Sequence, residues 1–520
     1  MKLLVGLLSP SQKRQLRLLT ILWASITAYF LSWWFQPSHY TDFFHFAFDS
    51  FIVFWSIILP GYYFYFLNRV RRPNPALQIP ADWRIAMVAT KAPSEPFELA
   101  VKMLKAMKAQ DLKADVWLAD EDPTPQMRAW CEENGVYLST RKGVAAYHKM
   151  TWPRRTRCKE GNLAYFYDHY GYERYDFVAQ MDADHIPTPG YLRAMIQPFL
   201  NPEVGYVSAP SICDANAKES WVARGRLYLE GTLHGTLQAG YHGGWLPMCI
   251  GSHYTVRTKA LKEVGGLGPE LAEDHSTTLL MAAGGWKGIH SIDAEAHGDG
   301  PPSFAAGMIQ EFQWARSLVM IFFEMTPRLL HKLPLRLKFQ FLFGQLWYFL
   351  FSFAMLSAFA LPVIGLIDGN SFVNVTYLSY ILHAAPTSIA ALLIVYRIKS
   401  WGLLRPTNAK VLSWEMVAFQ LARWPWVIWA VIDAFKSTFF KVALDWKVTP
   451  KTKDKTGIAK RFLAPYVGIS AISTVVALSH IGSHQIGFFW LALFNAVNYL
   501  WLAVAIIKLH ARENGHYNAI

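Results

Sequence analysis

Long apolar runs near both ends of the chain enclose a polar middle with a different rhythm. About 20 apolar residues cross a bilayer as a helix. By that measure residues 18–35, 51–67, 339–367, 373–396, 462–481 and 486–508 are predicted spans. The second is short and is expected to start earlier, through the aromatic stretch before Asp49. Two more apolar stretches fit spans poorly. Residues 308–333 carry Glu311, Arg316, Glu324 and Arg328; residues 414–440 carry Glu415, Arg423, Pro425, Asp433 and Lys436. Charge at mid-bilayer is costly, so both are expected to be amphipathic helices at the membrane interface. A re-entrant segment is the competing reading of 414–440.

The polar middle, residues 72–307, alternates short apolar runs with helical patterns. Strands are predicted at 84–89, 115–118, 136–138, 177–181 and 206–209, and helices at 96–109 and 160–170. This alternation predicts an α/β domain with a mostly parallel sheet and ligands at the carboxyl ends of its strands. The predicted organisation is a membrane region (1–71), the α/β domain (72–307), and a second membrane region (308–520) with a loop at about 441–460.

The chain has 520 residues, 53% of them hydrophobic and 15% aromatic, which excludes an ordinary soluble protein. Its net charge of +13 fits cytoplasmic loops against anionic headgroups, or a basic channel for anionic substrates. The loops 37–42, 368–372 and 482–485 hold no Lys or Arg, whereas Arg69, Arg71, Arg72, Arg397, Lys399, Lys460 and Arg461 crowd the other side. That asymmetry predicts a multi-pass protein of the cell (inner or plasma) membrane with both termini and the α/β domain in the cytoplasm. The basic stretch Lys13-Arg14 leads into the first span without a cleavage pattern, as in an uncleaved anchor. Cys131, Cys158, Cys213 and Cys249 lack zinc spacing and read as reduced thiols. No nucleic-acid module is visible, and no nucleic-acid partner is expected.

Four segments carry candidate chemistry. Asp182-Ala183-Asp184 follows the strand 177–181. Two carboxylates so close repel unless a cation or donors lie between them, and Mg²⁺ or Mn²⁺ accepts such carboxylates together with phosphate oxygens. Taken alone the pair equally ends a strand in a turn. Ala272-Glu273-Asp274 follows a glycine-rich turn and reads either as an acidic first helical turn or as a general base. Gln310, Gln313 and Trp314 share one helical face and suit a sugar or a diphosphate, or simply an interfacial Trp. Trp446-Lys447-Val448-Thr449-Pro450-Lys451 is a solvated basic loop or a mobile lid.

Together these segments resemble the membrane-embedded, processive family-2 glycosyltransferases, the cellulose, hyaluronan and chitin synthase group. Asp120-Glu121 matches the family's D-D element, Asp182–Asp184 its D-x-D, Ala272–Asp274 its T-E-D, and Gln310–Trp314 its Q-x-x-R-W, in the family's order. Lys159-Glu160-Gly161-Asn162 is similar to K-A-G-N, and Cys249-Ile250-Gly251-Ser252 to F-F-C-G-S. Trp446–Lys451 is similar to the F-x-V-T-x-K gating loop of cellulose synthases. The chain departs from the pattern at Ala272, where the family has Thr, and at Gln313, where it has Arg. Gln lacks the cationic fork, so Arg316 or Lys451 is expected to supply the charge. No regulatory cyclic-dinucleotide domain is expected after the last span.

The resemblance implies a GT-A-like domain that polymerises a sugar from a nucleotide-sugar, most simply UDP-glucose, into a β-glucan that crosses the membrane. It implies Asp274 as the base and Asp184 with Asp182 on a divalent cation. It places donor or sugar on Asp120, Lys159, Asp182, Cys249, Gly251, Glu273, Gln310, Gln313, Trp314, Arg316, Thr449 and Lys451. The expected partners are the nucleotide-sugar, the growing polysaccharide and the bilayer. A non-processive transferase acting on a lipid acceptor is the second reading, and a non-catalytic channel or scaffold the third.

Overall fold

The computed structural model describes residues 2–156, 158–269, 271–440 and 458–513. Chain entry is tied to the membrane region by a short antiparallel ladder, Leu4–Gly6 against Arg71–Pro73. Between these two strands run helices α1 (Pro10–Trp34) and α2 (Phe43–Leu67). A capping box at Ser9 with Gln12 starts α1, and the Asp42 carboxylate accepts from Phe44 N and His45 N to start α2. The early start of α2 matches the expectation from the aromatic stretch.

Seven strands then form the central sheet: β1 (Ile85–Lys91), β2 (Asp115–Asp120), β3 (Tyr137–Ser139), β4 (Phe177–Asp182), β5 (Val204–Ser208), β6 (His253–Arg257) and β7 (Lys287–His290). Their spatial order is β7-β5-β6-β4-β1-β2-β3. Every pairing is parallel except those of β6, which is antiparallel to both β5 and β4. β1 is buried along its whole length, and it reads as a five-residue apolar run followed by Thr90 and Lys91. Two cores sandwich the sheet. One packs α3 (Phe97–Lys108) through Met103, Leu104 and Met107; the other packs α4 (Lys159–Phe166) through Leu163 and Phe166.

The strands predicted from sequence all appear, at slightly different bounds. β6 and β7 were not predicted. β6 inverts the simple alternation, and it is what carries Gly251 and Ser252 back to the carboxyl end of β4: Asp182 N donates to Ser252 O at 2.8 Å. This mixed sheet with its flanking helices is the GT-A-like fold.

Besides a small three-stranded sheet (Ile186–Pro187, Ala296–His297 and Ser211–Ile212), the main further elements are helices: α5 (Trp221–Thr232), α6 (Glu273–Ala283), α7 (Phe304–Glu324), α8 (Leu335–Asp368), α9 (Tyr377–Ser400), α10 (Trp414–Phe440), α11 (Lys460–Ser479) and α12 (Ile486–Glu513). Among the described residues six helices are long and apolar enough to cross a membrane: α1, α2, α8, α9, α11 and α12. α7 and α10 are not among them. They pack on each other and neutralise their charges pairwise, Glu311 with Arg423 at 3.2 Å and Arg316 with Asp433 at 2.9 Å.

Candidate active site

Sheet register sets the site. Lys91 stands opposite Asp120, and Thr90 opposite Asp182, so the carboxyl ends of β1, β2 and β4 form one rim. β1 separates Asp120 from Asp182, two strand spacings or about 10 Å. Asp120 is fully buried: its Oδ2 is 3.3 Å from Lys91 Nζ and its Oδ1 accepts from Asp122 N at 2.9 Å. Beside it Arg141, also fully buried, donates to both oxygens of Glu121 at 3.0 Å and to the carbonyls of Tyr147 and Arg155 at 2.7 Å. This one guanidinium organises the loop that leads into α4. A Cβ at Gly161 would lie 2.1 Å from Arg141 Nη1 and 2.0 Å from Arg155 O, so only glycine lets α4 start here.

Lys159, the first residue of α4, gathers the centre of the site. Its Nζ donates to Asp182 Oδ1 at 2.8 Å and to Gly251 O at 2.6 Å, and lies 4.0 Å from Glu273 Oε1. One cation thus joins β4, the turn before β6 and the start of α6. Burial acts to lower the Lys159 pKa, but Asp182 and Glu273 outweigh it and raise it.

Glu273 is buried, accepts from Tyr254 OH at 2.7 Å, and is pushed up to about 7 by burial, with Lys159 opposing the shift. Asp274 is partly exposed. Its Oδ2 accepts from Gly251 N at 2.7 Å and its Oδ1 from His275 N at 2.8 Å. Burial raises its pKa, and the two backbone donors hold it back. The carboxylate is therefore fixed in direction and more basic than in water. Cys249 supports this turn from below: it is buried, and its N donates to Thr278 Oγ1 at 2.9 Å.

Asp184 is 7% exposed and lies 3.1 Å from His185 Nδ1. Ligand atoms of Asp182, Asp184 and His185 all fall within 4.8 Å of one another. Burial acts to lower His185, yet the Asp184 carboxylate prevails and its pKa reaches about 10. Two carboxylates and an imidazole are a donor set suited to a divalent cation.

On α7, Gln310 and Trp314 meet Arg226 of α5. Arg226 Nη1 donates to Gln310 Oε1 at 2.6 Å, and its Cζ lies 4.2 Å from the Trp314 ring centroid. Gln313 is partly exposed on the same helix. Arg316 departs from expectation. It lies about 160° around the helix from Trp314 and faces α10, with its guanidinium 2.9 Å from Asp433 and 2.9 Å from Ser437 Oγ. It does not stand in for the missing Arg at position 313. Thr449 and Lys451 lie outside the described residues.

The structure thus brings Lys159, Asp182, Asp184, Gly251, Cys249, Glu273 and Asp274 together at one rim. Lys91, Arg141 and Arg226 were not foreseen. Lys91 had a faint signal, a cation closing an apolar strand.

The profile described as "Glycosyl transferase family group 2" matches residues 177–396. A cellulose synthase catalytic subunit (UDP-forming) of Xanthomonas axonopodis pv. citri is 27% identical over 281 residues, 51% of this chain and 36% of that protein. One from Komagataeibacter sucrofermentans is 25% identical over 333 residues, 62% of this chain and 41% of that protein. The matches therefore span well under half the length of these relatives. A mannosyltransferase of Pyrobaculum calidifontis, solved with GDP-Man and Mn²⁺, aligns with TM-score 0.48 and 16% identity, covering 76% of this chain and 99% of that one. Residues 177–396, from β4 into α9, thus match a family-2 glycosyltransferase domain, and the chain is similar in sequence to cellulose synthase catalytic subunits.

Proposed function

We propose that this chain is a processive, inverting β-glycosyltransferase of the cell membrane that extends a polysaccharide from a UDP-sugar, most simply UDP-glucose, and passes the β-glucan across the bilayer. Its α/β domain (72–307) faces the cytoplasm between the two membrane regions (1–71 and 308–520). The observation that carries the reading is the Lys159 junction, where a D-x-D rim and an acidic helix start meet on one partly buried cation. The UDP-forming relatives support the donor class.

In this reading the uridine end rests near Asp120, and the diphosphate lies along Asp182, Asp184 and Lys159. The donor set fits a divalent cation, held by Asp184 and Asp182 with His185 alongside. When bound, the cation supplies charge neutralisation to the departing diphosphate. Lys159 holds the Asp182 carboxylate in place and ties it to Gly251 and the start of α6. Asp274, clamped by two N–H donors, takes the proton of the acceptor hydroxyl. The acceptor oxygen bonds to C1 from the face opposite the diphosphate, the C1–O bond breaks, and UDP leaves with the electron pair. Such general-base assistance is worth about 10²–10⁴ in rate. Trp314 offers an apolar face to the acceptor sugar, with Gln310 and Gln313 beside it.

The test uses inverted membrane vesicles given labelled UDP-glucose, UDP-N-acetylglucosamine or UDP-glucuronate, with Mg²⁺ or Mn²⁺ and then with EDTA. The expected result is a large, EDTA-sensitive, glucanase-sensitive product from UDP-glucose. A solvent-extractable product instead would identify a lipid acceptor, and no turnover with any donor would overturn the enzymatic reading.

A further inference from the structure

Arg226 belongs to no motif, yet it is a buried and tightly held cation beside α7. Its Nε is held by both oxygens of Glu230, one helical turn along, at 3.0 and 3.2 Å. Glu230 Oε2 in turn lies 3.5 Å from His234 Nε2. Arg226 is 8% exposed. A buried ion pair is seldom a gain in stability over apolar packing, so stability alone does not account for it. Its free fork and face do something more specific. Nη1 fixes the Gln310 amide, and the guanidinium plane covers one face of Trp314. Trp314, only partly buried, also packs beside Ala315, Tyr348, Val427 and Ala430. Side chains at i and i+4 of α7 are thus locked by one group from another helix. The helix's own next cation, Arg316, is turned to Asp433.

We infer that Arg226 is a positioning residue for the acceptor: acting through Gln310 and Trp314, it holds the platform on which the accepting sugar is set against the base. This rests on the transferase reading given above. A platform loosened by about 1 Å loses on the order of 10²-fold in rate without weakening donor binding.

The test compares wild type, Arg226→Met and Arg226→Lys in detergent or nanodisc. Three quantities are read: kcat and donor KM from UDP release, UDP affinity, and binding of a soluble β-glucan oligosaccharide. Arg226→Met is expected to lose about 10–10²-fold in kcat, to bind the oligosaccharide at least several-fold more weakly, and to keep donor KM and UDP affinity. Arg226→Lys, which keeps the charge but not the fork, is expected to fall between. An unchanged kcat and oligosaccharide affinity in Arg226→Met overturns the inference. So does a rise in donor KM at constant kcat, which would make Arg226 a donor contact. Should the Met variant lose UDP binding altogether, the same comparison on Arg226→Lys decides. A wild type without turnover condemns the transferase reading, and the oligosaccharide arm then judges Arg226 by itself.

Discussion

A methyl group at Gly251 would lie 3.2 Å from Asp274 Oδ2, tighter than ordinary contact. Gly251 also donates its N–H to that oxygen, and its carbonyl accepts from Lys159 Nζ. Gly251→Ala therefore pushes on the base and on the junction together. We expect kcat to fall by about 10² with UDP affinity nearly intact; measured UDP release equal to wild type would contradict the geometry. Asp274→Asn keeps the shape and removes the basicity, so polymer formation should drop by about 10²–10⁴ while UDP still binds. Unimpaired synthesis would remove Asp274 from the mechanism. Glu273 gives a pH-dependent test. Its folded pKa, about 7, stands above the ordinary 4.5. The folded state thus holds a proton that the unfolded chain gives up, and stability falls as pH rises through that window. Glu273→Gln mimics the protonated form, so its Tm relative to wild type should be higher at pH 8 than at pH 5. A difference that does not change with pH would show that Glu273 is already ionised. Most of these acids were legible because strand ends and helix starts expose them in short motifs. Lys91 and Arg226 were not. Lys91 reaches Asp120 only through strand register, and Arg226 reaches Gln310 across 84 residues.

Helices α7 and α10 show how an apolar element tolerates charge. Glu311 is 1% exposed and Arg423 6%, and they face each other at 3.2 Å. Arg423 also lies 4.5 Å over the Phe351 ring of α8, so three helices meet on one guanidinium. Removing one partner leaves the other charge buried and alone, at a cost of about 3–5 kcal/mol. Removing both should cost far less. Glu311→Leu and Arg423→Met are each expected to lower Tm sharply in detergent, and the double variant to recover most of the loss. Equal and additive losses would show that the pair is solvated rather than buried. Sequence marked both helices as different from the spans, because their charges recur along an otherwise apolar run. The partner of each charge stayed hidden, since Glu311 and Arg423 are 112 residues apart. The same limit hid β6. Its five residues, His-Tyr-Thr-Val-Arg, are polar or charged at three positions, so no apolar run marks it, and it is antiparallel among parallel neighbours. The five strands that were legible are mainly those whose two faces are both buried, which makes them continuous apolar runs.

At the scale of the whole molecule, the loops lacking Lys and Arg meet at one end. Thr41 Oγ1 donates to Phe372 O at 2.8 Å, and Asn374 N to His39 O at 2.9 Å. Gln485 Nε2 donates to Gly369 O at 3.1 Å. The opposite helix ends gather on the catalytic domain: Leu4–Gly6 pairs with Arg71–Pro73, and Trp221 N donates to Glu513 Oε1 at 2.7 Å. Among the described residues six helices are long and apolar enough to cross, and the charge asymmetry of the two ends predicts that the basic end faces the cytoplasm. Cysteines introduced at Ser38 and His484, both exposed at the uncharged end, should react with a membrane-impermeant thiol reagent on intact cells. Cysteines at Lys2 and Arg512, exposed at the basic end, should react only in inverted vesicles. The reverse pattern would place the nucleotide-sugar site on the side where no nucleotide pool is expected, and polymer export would lose its direction. Labelling of all four sites from one side would mean that the apolar helices do not cross. The two orientations thus give opposite readouts from the same four variants, with native Cys158, partly exposed in the catalytic domain, as an internal reporter that should follow Lys2 and Arg512.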